Sequence, residues 1–227
     1  MLTDMRCPHI ACFFVISCSS ISEASVIKMW NFEDSNPFHD LRIEGEKPEV
    51  VIDPLSSNNH VMKSVLLKTS SRPERSEVRF DWIGFKQERW VGVRMMVPEK
   101  SNQPFQSLFQ LGPIYDSDNS NAGGWYQLLA KPESDFIWDI RGYMERIHAS
   151  TVRENAGPIE VGKWTNWVMH FKLSDDANGF IEIWKNGVKV FERHGINAKH
   201  GDRIPLKWGI YIEIGRASCR ERVCQYV

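Results

Sequence analysis

Cysteine is missing from the body of this 227-residue chain. The five cysteines are Cys7, Cys12, Cys18, Cys219 and Cys224. Because none lies between residues 19 and 218, the central region holds no disulfide and no thiolate metal site. Long apolar runs are missing too, since none approaches the roughly 20 residues that a membrane span needs. The sequence also shows no Ser-His-Asp arrangement, phosphate loop or zinc-ligand spacing.

A charge excess of either sign is also lacking. The chain has 28 Lys and Arg against 29 Asp and Glu, which gives a formal net charge of −1. This balance gives no electrostatic reason to expect nucleic acid as a partner. With 42% apolar residues and nine tryptophans, the composition excludes a disordered chain, a collagen and a coiled coil. A chain of this length can bury a hydrophobic core without disulfides.

The first 23 residues are typical of an export signal. Arg6 is the basic residue of a short n-region, Ile10–Ile16 is a short apolar h-region, and small polar residues follow. Val15–Cys18 also resembles a bacterial lipobox, in which Cys18 would carry a lipid. We therefore expect a secreted or periplasmic protein, with a lipid anchor at Cys18 as a variant. A buried strand or an incorrectly assigned start is the alternative interpretation.

Residues 214–227 differ in character from the rest of the chain. They show no strand alternation and no apolar face, and they resemble the translation of a common sequencing adapter. We predict that this tail is non-native and that residues 215–227 are disordered or unpaired. An ordinary basic tail is the alternative.

Short runs of alternating apolar and polar residues, separated by turn residues, fill the region 24–213. Such runs predict β-strands, and long helical periodicity is absent. Ten or more strands at a spacing of roughly 10–15 residues predict one all-β domain, either a sandwich or a jelly roll. Asn186-Gly187, between two such runs, predicts a hairpin turn. The predicted strands include Arg75–Phe80, Gln106–Leu111, Tyr143–Ser150 and Leu206–Glu213.

The sequence Arg-Ser-Glu-Val-Arg-Phe carries three charges on one face of a predicted strand. Residues two apart in a strand share a face, so Arg75, Glu77 and Arg79 line one side. Val78 and Phe80 then face the core. The charged strip is either a solvated edge or a preorganised site in which guanidinium groups fork onto an anionic sugar. Because Glu77 lies between two arginines, we expect its pKa to be lowered.

Two further predicted strands carry polar residues that need partners. Gln110 is an amide in an otherwise apolar strand, where it is either a satisfied core group or a neutraliser of a uronate carboxylate. In the last strand, alternation places Lys207, Gly209 and Tyr211 on one face. Glycine in a strand often marks the close approach of a ligand. A phenol beside a lysine and two arginines has its anion favoured, which suits proton transfer.

In this order the three motifs resemble those of jelly-roll alginate lyases. Arg-Ser-Glu-Val-Arg is similar to their Arg-Ser-Glu-Leu-Arg motif, and Gln110 is similar to the Gln of their Gln-Ile-His motif. Lys207–Tyr211 is similar to the core of their Tyr-Phe-Lys-Ala-Gly-x-Tyr motif. The layout over residues 28–213 resembles the heparin lyase and glucuronan lyase group more closely still. The resemblance implies a concanavalin-like β-jelly-roll sandwich.

The resemblance also implies β-elimination on a uronic-acid polysaccharide. Arg75 and Gln110 would neutralise the C6 carboxylate, which lowers the cost of removing the C5 proton. Tyr211 would give a proton to the departing O4. The residues that would shape the subsites are Arg79, Glu77 and Lys207.

The chain departs from the family pattern at two positions. Gly112 stands where the motif has its histidine, the usual general base, and Pro205 stands where it has its first tyrosine. Tyr211 would then serve as both base and acid from one side of the sugar, which is a syn elimination. The C5 hydrogen and the C4 oxygen share a face in D-glucuronate and D-mannuronate, so these substrates are favoured. The histidines that could replace the missing base are His60, His148 and His170.

Trp138 and His148 are the remaining substrate-binding candidates. An indole can stack on a sugar ring, although core packing is the alternative for Trp138 and a strand-edge position is the alternative for His148. The acidic turn at Asp175, Asp176 and Asn178 is compatible with a structural calcium ion. No other metal and no cofactor are expected.

Two other functions compete with the lyase interpretation. A carbohydrate-binding jelly roll would keep the fold without the chemistry. A glycoside hydrolase of concanavalin-like fold would need two carboxylates about 5–10 Å apart, but the chain has no Glu-x-Asp-x-x-Glu strand. We predict a monomer whose partner is an anionic polysaccharide.

Overall fold

Two antiparallel β-sheets contain the strands of the described residues. The computed structural model describes residues 15–18, 25–66, 75–81, 84–100, 106–112, 125–131, 137–143, 152–198, 204–212 and 223–226. Its strands are β1 (Val15–Cys18), β2 (Ser25–Lys28), β3 (Arg42–Gly45), β4 (Glu49–Asp53), β5 (Ser56–Leu66), β6 (Arg75–Phe80), β7 (Glu88–Met96), β8 (Gln106–Leu111), β9 (Trp125–Lys131), β10 (Ile137–Tyr143), β11 (Val152–Pro158), β12 (Trp164–Lys172), β13 (Phe180–Lys185), β14 (Val188–His194), β15 (Leu206–Ile212) and β16 (Val223–Tyr226). Among these residues no helix is long and apolar enough to cross a membrane. The all-β prediction is confirmed.

The strand order brings the three sequence motifs together. The larger sheet has nine strands in the order β14-β13-β12-β7-β16-β5-β4, with β1 pairing β7 and β2 pairing β1. The smaller sheet has seven strands in the order β11-β10-β9-β8-β15-β6-β3. In the smaller sheet β15 lies between β6 and β8, although these strands are far apart in sequence. The strands that carry the charged strip, the glutamine and the tyrosine are therefore neighbours.

The hydrophobic core lies between the two sheets, and strand alternation decides which residues enter it. Val78 and Phe80 of β6 are buried, as predicted, together with Trp208 of β15. The Trp30 ring packs against Phe80 at 5.0 Å and against Trp208 at 5.5 Å between centroids. Because successive side chains point to opposite faces, the polar residues of the same strands lie on the other face of the seven-stranded sheet.

The predicted hairpin turn at Asn186-Gly187 joins β13 to β14. The φ angles are 49° at Asn186 and 84° at Gly187, and Lys185 pairs with Val188 across the turn. Two central residues with positive φ match the twist of the flanking strands, which is why Asn-Gly is favoured there.

Gly209 is required because a neighbouring backbone approaches it closely. Its φ is +132°, and a Cβ atom at this position would lie 2.2 Å from the Ser76 carbonyl oxygen and 2.7 Å from the Glu77 Cα. The register between β15 and β8 also shifts between Trp208 and Tyr211. The close approach of the β6 backbone thus requires a glycine at this position.

Gly209→Ala is expected to destabilise the fold by roughly 2–4 kcal/mol, because a strained φ and a steric overlap must both be relieved. In a domain of this size that lowers the melting temperature by roughly 5–15 °C, which circular dichroism measures. Gly92→Ala in β7 is the matched control, because a Cβ there meets no atom within 4 Å. Equal melting temperatures for the two variants would contradict this explanation.

Both ends of the chain contribute short strands. β1, within the predicted export signal, pairs with β2 and β7. β16 pairs with β5, with Val223 opposite Leu66 and Tyr226 opposite Lys63. The prediction that residues 215–227 are unpaired is therefore wrong for β16, because the backbone groups along β5 offer partners to an added strand.

The predicted strand at Tyr143–Ser150 lies outside the described residues beyond its first position.

Candidate active site

The register of β6, β15 and β8 places the candidate residues on one face of the seven-stranded sheet. Tyr211 lies opposite Arg75, and Lys207 lies opposite Arg79. On its other side Lys207 lies opposite Gln110. Directly opposed residues of neighbouring strands project from the same face and contact one another. These five residues therefore form one polar patch.

Glu44, on the edge strand β3, holds the three cations of this patch. Its carboxylate accepts hydrogen bonds from Arg75 Nη1 and Lys207 Nζ, both at 2.8 Å, and from Arg79 Nη1 at 2.5 Å. Burial acts to raise the pKa of Glu44, but Lys207 and Arg79 outweigh it, so the pKa lies below its usual 4.5. Sequence reasoning missed Glu44 because β3 is a short polar strand without apolar alternation.

A second carboxylate continues this ion-pair network. Arg79 Nε lies 2.5 Å from Asp81 Oδ1, and Arg42 Nε lies 2.9 Å from Asp81 Oδ2. Arg79 is therefore fixed by two acids, whereas the Arg75 side chain is 35% exposed and stays accessible to a ligand. Of the two arginines in the motif, Arg75 is the one available to a bound anion.

Tyr211 lies beside a cation at the end of the patch. The guanidinium carbon of Arg75 is 4.8 Å from the centre of the Tyr211 ring, and the phenol is half-buried. This cation–π contact holds the Tyr211 ring beside the guanidinium. A phenol, which can carry a proton, therefore lies next to a group that can bind an anion.

Gln110 and Glu77 form a buried pair beneath the cations. Gln110 Nε2 donates a hydrogen bond to Glu77 Oε1 at 3.1 Å, and the Glu77 side chain has no exposed surface. Burial raises the pKa of Glu77 to about 7, against the opposing charges of Lys207 and Arg75. The predicted lowering of this pKa is wrong, because the loss of water around the carboxylate outweighs the two cations.

The patch extends onto β9 through a second amide. Gln127 lies opposite Gln110, so Arg79, Lys207, Gln110 and Gln127 form a row across four adjacent strands. Neighbouring strands lie about 4.8 Å apart, so the row has a cation or an amide at each step. Three of its members are already hydrogen-bonded to acids, Arg79 and Lys207 to Glu44 and Gln110 to Glu77. Gln127 gave no signal in the sequence, since a polar residue in an alternating strand is ordinary.

Several sequence candidates do not join this patch. Trp138 is 1% exposed and packs edge-on against Trp167, with ring centroids 5.3 Å apart. Its assignment as a substrate-binding residue is wrong, because its position in β10 faces the core. His148 lies outside the described residues. His60 and His170 belong to the nine-stranded sheet, where each is hydrogen-bonded to a carboxylate, so neither replaces the missing base of the patch.

The acidic turn that follows β12 is neutralised by a lysine. Lys86 Nζ lies 2.8 Å from Asp175 Oδ1 and 3.1 Å from Asp176 Oδ2. The backbone N–H of Asn178 and the Lys86 ammonium together lower the pKa of Asp176 to about 2. The lysine supplies the positive charge that a calcium ion would bring. Within the described ranges, no three His, Cys, Asp or Glu side chains form a group that could hold a metal ion.

Glu44→Gln is expected to lower the free energy of unfolding by roughly 2 kcal/mol at neutral pH, because three clustered cations lose their shared anion. Pairing lowers the folded pKa of Glu44, so the stabilisation is present above its unfolded pKa and is lost as the pH falls through the folded pKa. Denaturant unfolding at several pH values measures both effects. Glu160→Gln, which removes an exposed pair with Lys163, is the control. A difference from wild type that persists unchanged in acid would contradict this role of Glu44.

The fold is shared with solved structures of carbohydrate-active enzymes. An endo-β-1,4-glucuronan lyase from the fungus Trichoderma reesei has a TM-score of 0.65 and 17% identity, covering 85% of this chain and 89% of that chain. A marine PL-14 alginate lyase from Aplysia kurodai has a TM-score of 0.59 and 11% identity, covering 94% and 96%. A glycoside hydrolase family 16 endo-glucanase from Bacteroides ovatus has a TM-score of 0.56 and 9% identity, covering 87% and 94%. The predicted concanavalin-like jelly roll is confirmed.

A protein-family model matches the part of the sequence that contains the whole patch. No curated protein matches the chain at significant similarity. The polysaccharide lyase family model, however, matches residues 30–223. That range contains all seven strands of the smaller sheet and every residue of the patch. The chain therefore belongs to the polysaccharide lyase family.

Proposed function

We propose that this protein cleaves a uronic-acid polysaccharide by β-elimination. The observation that carries the proposal is the patch on which Arg75, Gln110 and Tyr211 meet, with the Arg75 guanidinium 4.8 Å from the Tyr211 ring. Membership of the polysaccharide lyase family supports the same class of reaction. The glucuronan and alginate lyases that share the fold suggest a uronate as the sugar.

The difficult step of the elimination is removal of the C5 proton, because negative charge builds on the C6 carboxylate. Gln110 and Arg75 would donate hydrogen bonds to that carboxylate and stabilise the charge as it develops. Tyr211, as a phenolate beside Arg75, would take the C5 proton. The C5–H electron pair then forms the C4–C5 double bond, the C4–O4 bond breaks, and the Tyr211 hydroxyl returns the proton to O4.

A single residue that is both base and acid must act from one side of the sugar ring. Gly112, which directly follows β8, has no side chain to act from the other side. The C5 hydrogen and the C4 oxygen share a face in D-glucuronate and D-mannuronate, but not in L-guluronate or L-iduronate. We therefore propose glucuronan-like or mannuronate-rich chains as substrates.

A non-catalytic carbohydrate-binding domain is the second candidate function. It is favoured by Gly112 and Pro205, which replace a histidine and a tyrosine of the lyase motifs.

Hydrolysis has less support, because it needs two reachable carboxylates. Glu44 is committed to three cations, and Glu77 is fully buried.

The proposed reaction uses side chains alone, so it needs neither a metal nor another cofactor. One chain supplies the whole patch, which is consistent with a monomer. A polymer too large to cross a membrane fits a secreted or periplasmic enzyme, with the lipid anchor at Cys18 as the variant.

Ultraviolet absorbance during incubation with glucuronan tests the proposal, because only elimination creates a double bond conjugated to the carboxylate. We expect absorbance and reducing ends to rise together. Electrophoresis through a gel that contains the same polymer measures binding in parallel. Retention in the gel without a rise in absorbance would identify a binding domain, and reducing ends without absorbance would identify a hydrolase. Either result would contradict the lyase proposal.

A further inference from the structure

Glu77 is a buried carboxylate directly behind the amide that we assign to substrate binding. Its side chain has no exposed surface, and Oε1 accepts the hydrogen bond from Gln110 Nε2 at 3.1 Å. Its second oxygen, Oε2, has no hydrogen-bond partner among the described residues. Arg75 Nη1 lies 3.9 Å from Oε2, which is beyond hydrogen-bond distance. A carboxylate so placed keeps its negative charge at a considerable cost.

The charged groups around Glu77 are mostly engaged with another acid. Its own strand contributes Arg75 and Arg79, β3 contributes Glu44 and β15 contributes Lys207, whereas β8 contributes only the neutral Gln110. All three cations hydrogen-bond to Glu44. Burial therefore dominates and raises the pKa of Glu77 to about 7, with Lys207 and Arg75 lowering it and Glu44 raising it.

We propose that Glu77 takes up a proton when a uronate carboxylate binds to Gln110 and Arg75, so that affinity for the polymer rises as the pH falls. This inference rests on the proposed function. A bound carboxylate would place a second negative charge on the other side of the Gln110 amide from Glu77. Both anions would then share the single positive charge of Arg75. Like charges in a site of low dielectric disfavour double ionisation.

Uptake of the proton also releases a hydrogen-bond donor. While Glu77 is ionised, one N–H of Gln110 is committed to it. A proton from solvent forms an O–H bond on the carboxyl, which can then donate to the Gln110 carbonyl oxygen after the amide turns over. Both N–H groups of Gln110 are then available to the substrate carboxylate. Glu77 is thus a positioning residue that acts through Gln110.

The coupling between protonation of Glu77 and binding of the polymer determines how strongly affinity depends on pH. A group that is half-protonated near pH 7 and fully protonated in the complex takes up about 0.4–0.5 proton on binding at that pH. The dissociation constant should then be roughly 5–10-fold smaller at pH 6 than at pH 8. A group that acts only by packing would give no proton uptake.

Isothermal titration calorimetry with tetraglucuronate measures this uptake. The full chain carrying Tyr211→Phe is used, so that binding is seen without turnover. At pH 7 the binding enthalpy is compared in buffers of different ionisation enthalpy, and the slope gives the number of protons. We expect a slope of about 0.4–0.5 proton for Tyr211→Phe and for Tyr211→Phe with Glu160→Gln, and zero when Glu77→Gln is added.

Binding of tetraglucuronate with a zero slope in Tyr211→Phe would overturn the inference and leave the lyase proposal intact. No binding of tetraglucuronate or tetramannuronate at any pH would overturn the proposed function itself. If Glu77→Gln does not fold, difference infrared spectroscopy of Tyr211→Phe replaces it. A protonated carboxyl band must then grow when the ligand is added at pH 7, and its absence would refute proton uptake.

Discussion

Tyr211→Phe is expected to abolish elimination, with a fall in rate of at least about 10³-fold. One general acid or base contributes roughly 10²–10⁴-fold, and here a single phenol is assigned both transfers. The ring stays in place beside Arg75, so only the proton carrier is lost. The initial rate of absorbance increase with glucuronan measures the effect, and retention in a polymer-containing gel should be unchanged.

Tyr126→Phe is the matched control for this variant. Tyr126 is buried in the core against Phe191, and its hydroxyl has no hydrogen-bond partner among the described residues. The same chemical change there should leave the rate close to that of the wild type. A fully active Tyr211→Phe enzyme would show that another group carries the proton, and the assignment would fall.

Gln110→Ala is expected to slow the reaction by roughly 10²–10³-fold, the scale of losing one preorganised donor at a developing charge. The loss should be mainly in kcat, because the hydrogen bond strengthens as charge moves onto the C6 carboxylate. Steady-state kinetics on glucuronan separates kcat from KM. The melting temperature should be recorded as well, because the substitution also removes the hydrogen bond to Glu77.

Gln127→Ala provides the comparison, because Gln127 lies opposite Gln110 on the next strand and has no assigned contact with the reacting sugar. We expect a change of less than about tenfold, mainly in KM. Similar losses of kcat in the two variants would show that the effect is not particular to Gln110. The assignment of Gln110 to charge neutralisation would then be wrong.

The sequence predicts the strands of the candidate site well, because their pattern is local. Alternation places β6 and β8 at their observed bounds and sends Val78 and Phe80 into the core. The Asn-Gly turn is equally local, since two residues with positive φ decide it. The order of strands in the sheet depends on long-range pairing, which local patterns do not predict.

The electrostatics of the site could not be predicted, because they depend on burial and on a distant strand. Glu44 is 31 residues from Arg75 and 163 residues from Lys207 along the chain. Glu77 has arginines two residues away on either side, which suggests a lowered pKa, but burial reverses the direction. The assignment of Trp138 to substrate binding was wrong because it also depended on burial. Alternation alone does not say which face of β10 packs against the other sheet.

The central claim is a syn elimination by Tyr211, and a panel of three polymers tests it most directly. Wild-type protein is incubated with glucuronan, polymannuronate and polyguluronate at equal uronate concentration, and the double bond is followed by ultraviolet absorbance. The account predicts product from glucuronan or polymannuronate and little from polyguluronate, because only the first two place the C5 hydrogen and the C4 oxygen on one face. Efficient cleavage of polyguluronate, or absorbance that stays flat with all three polymers, would contradict it.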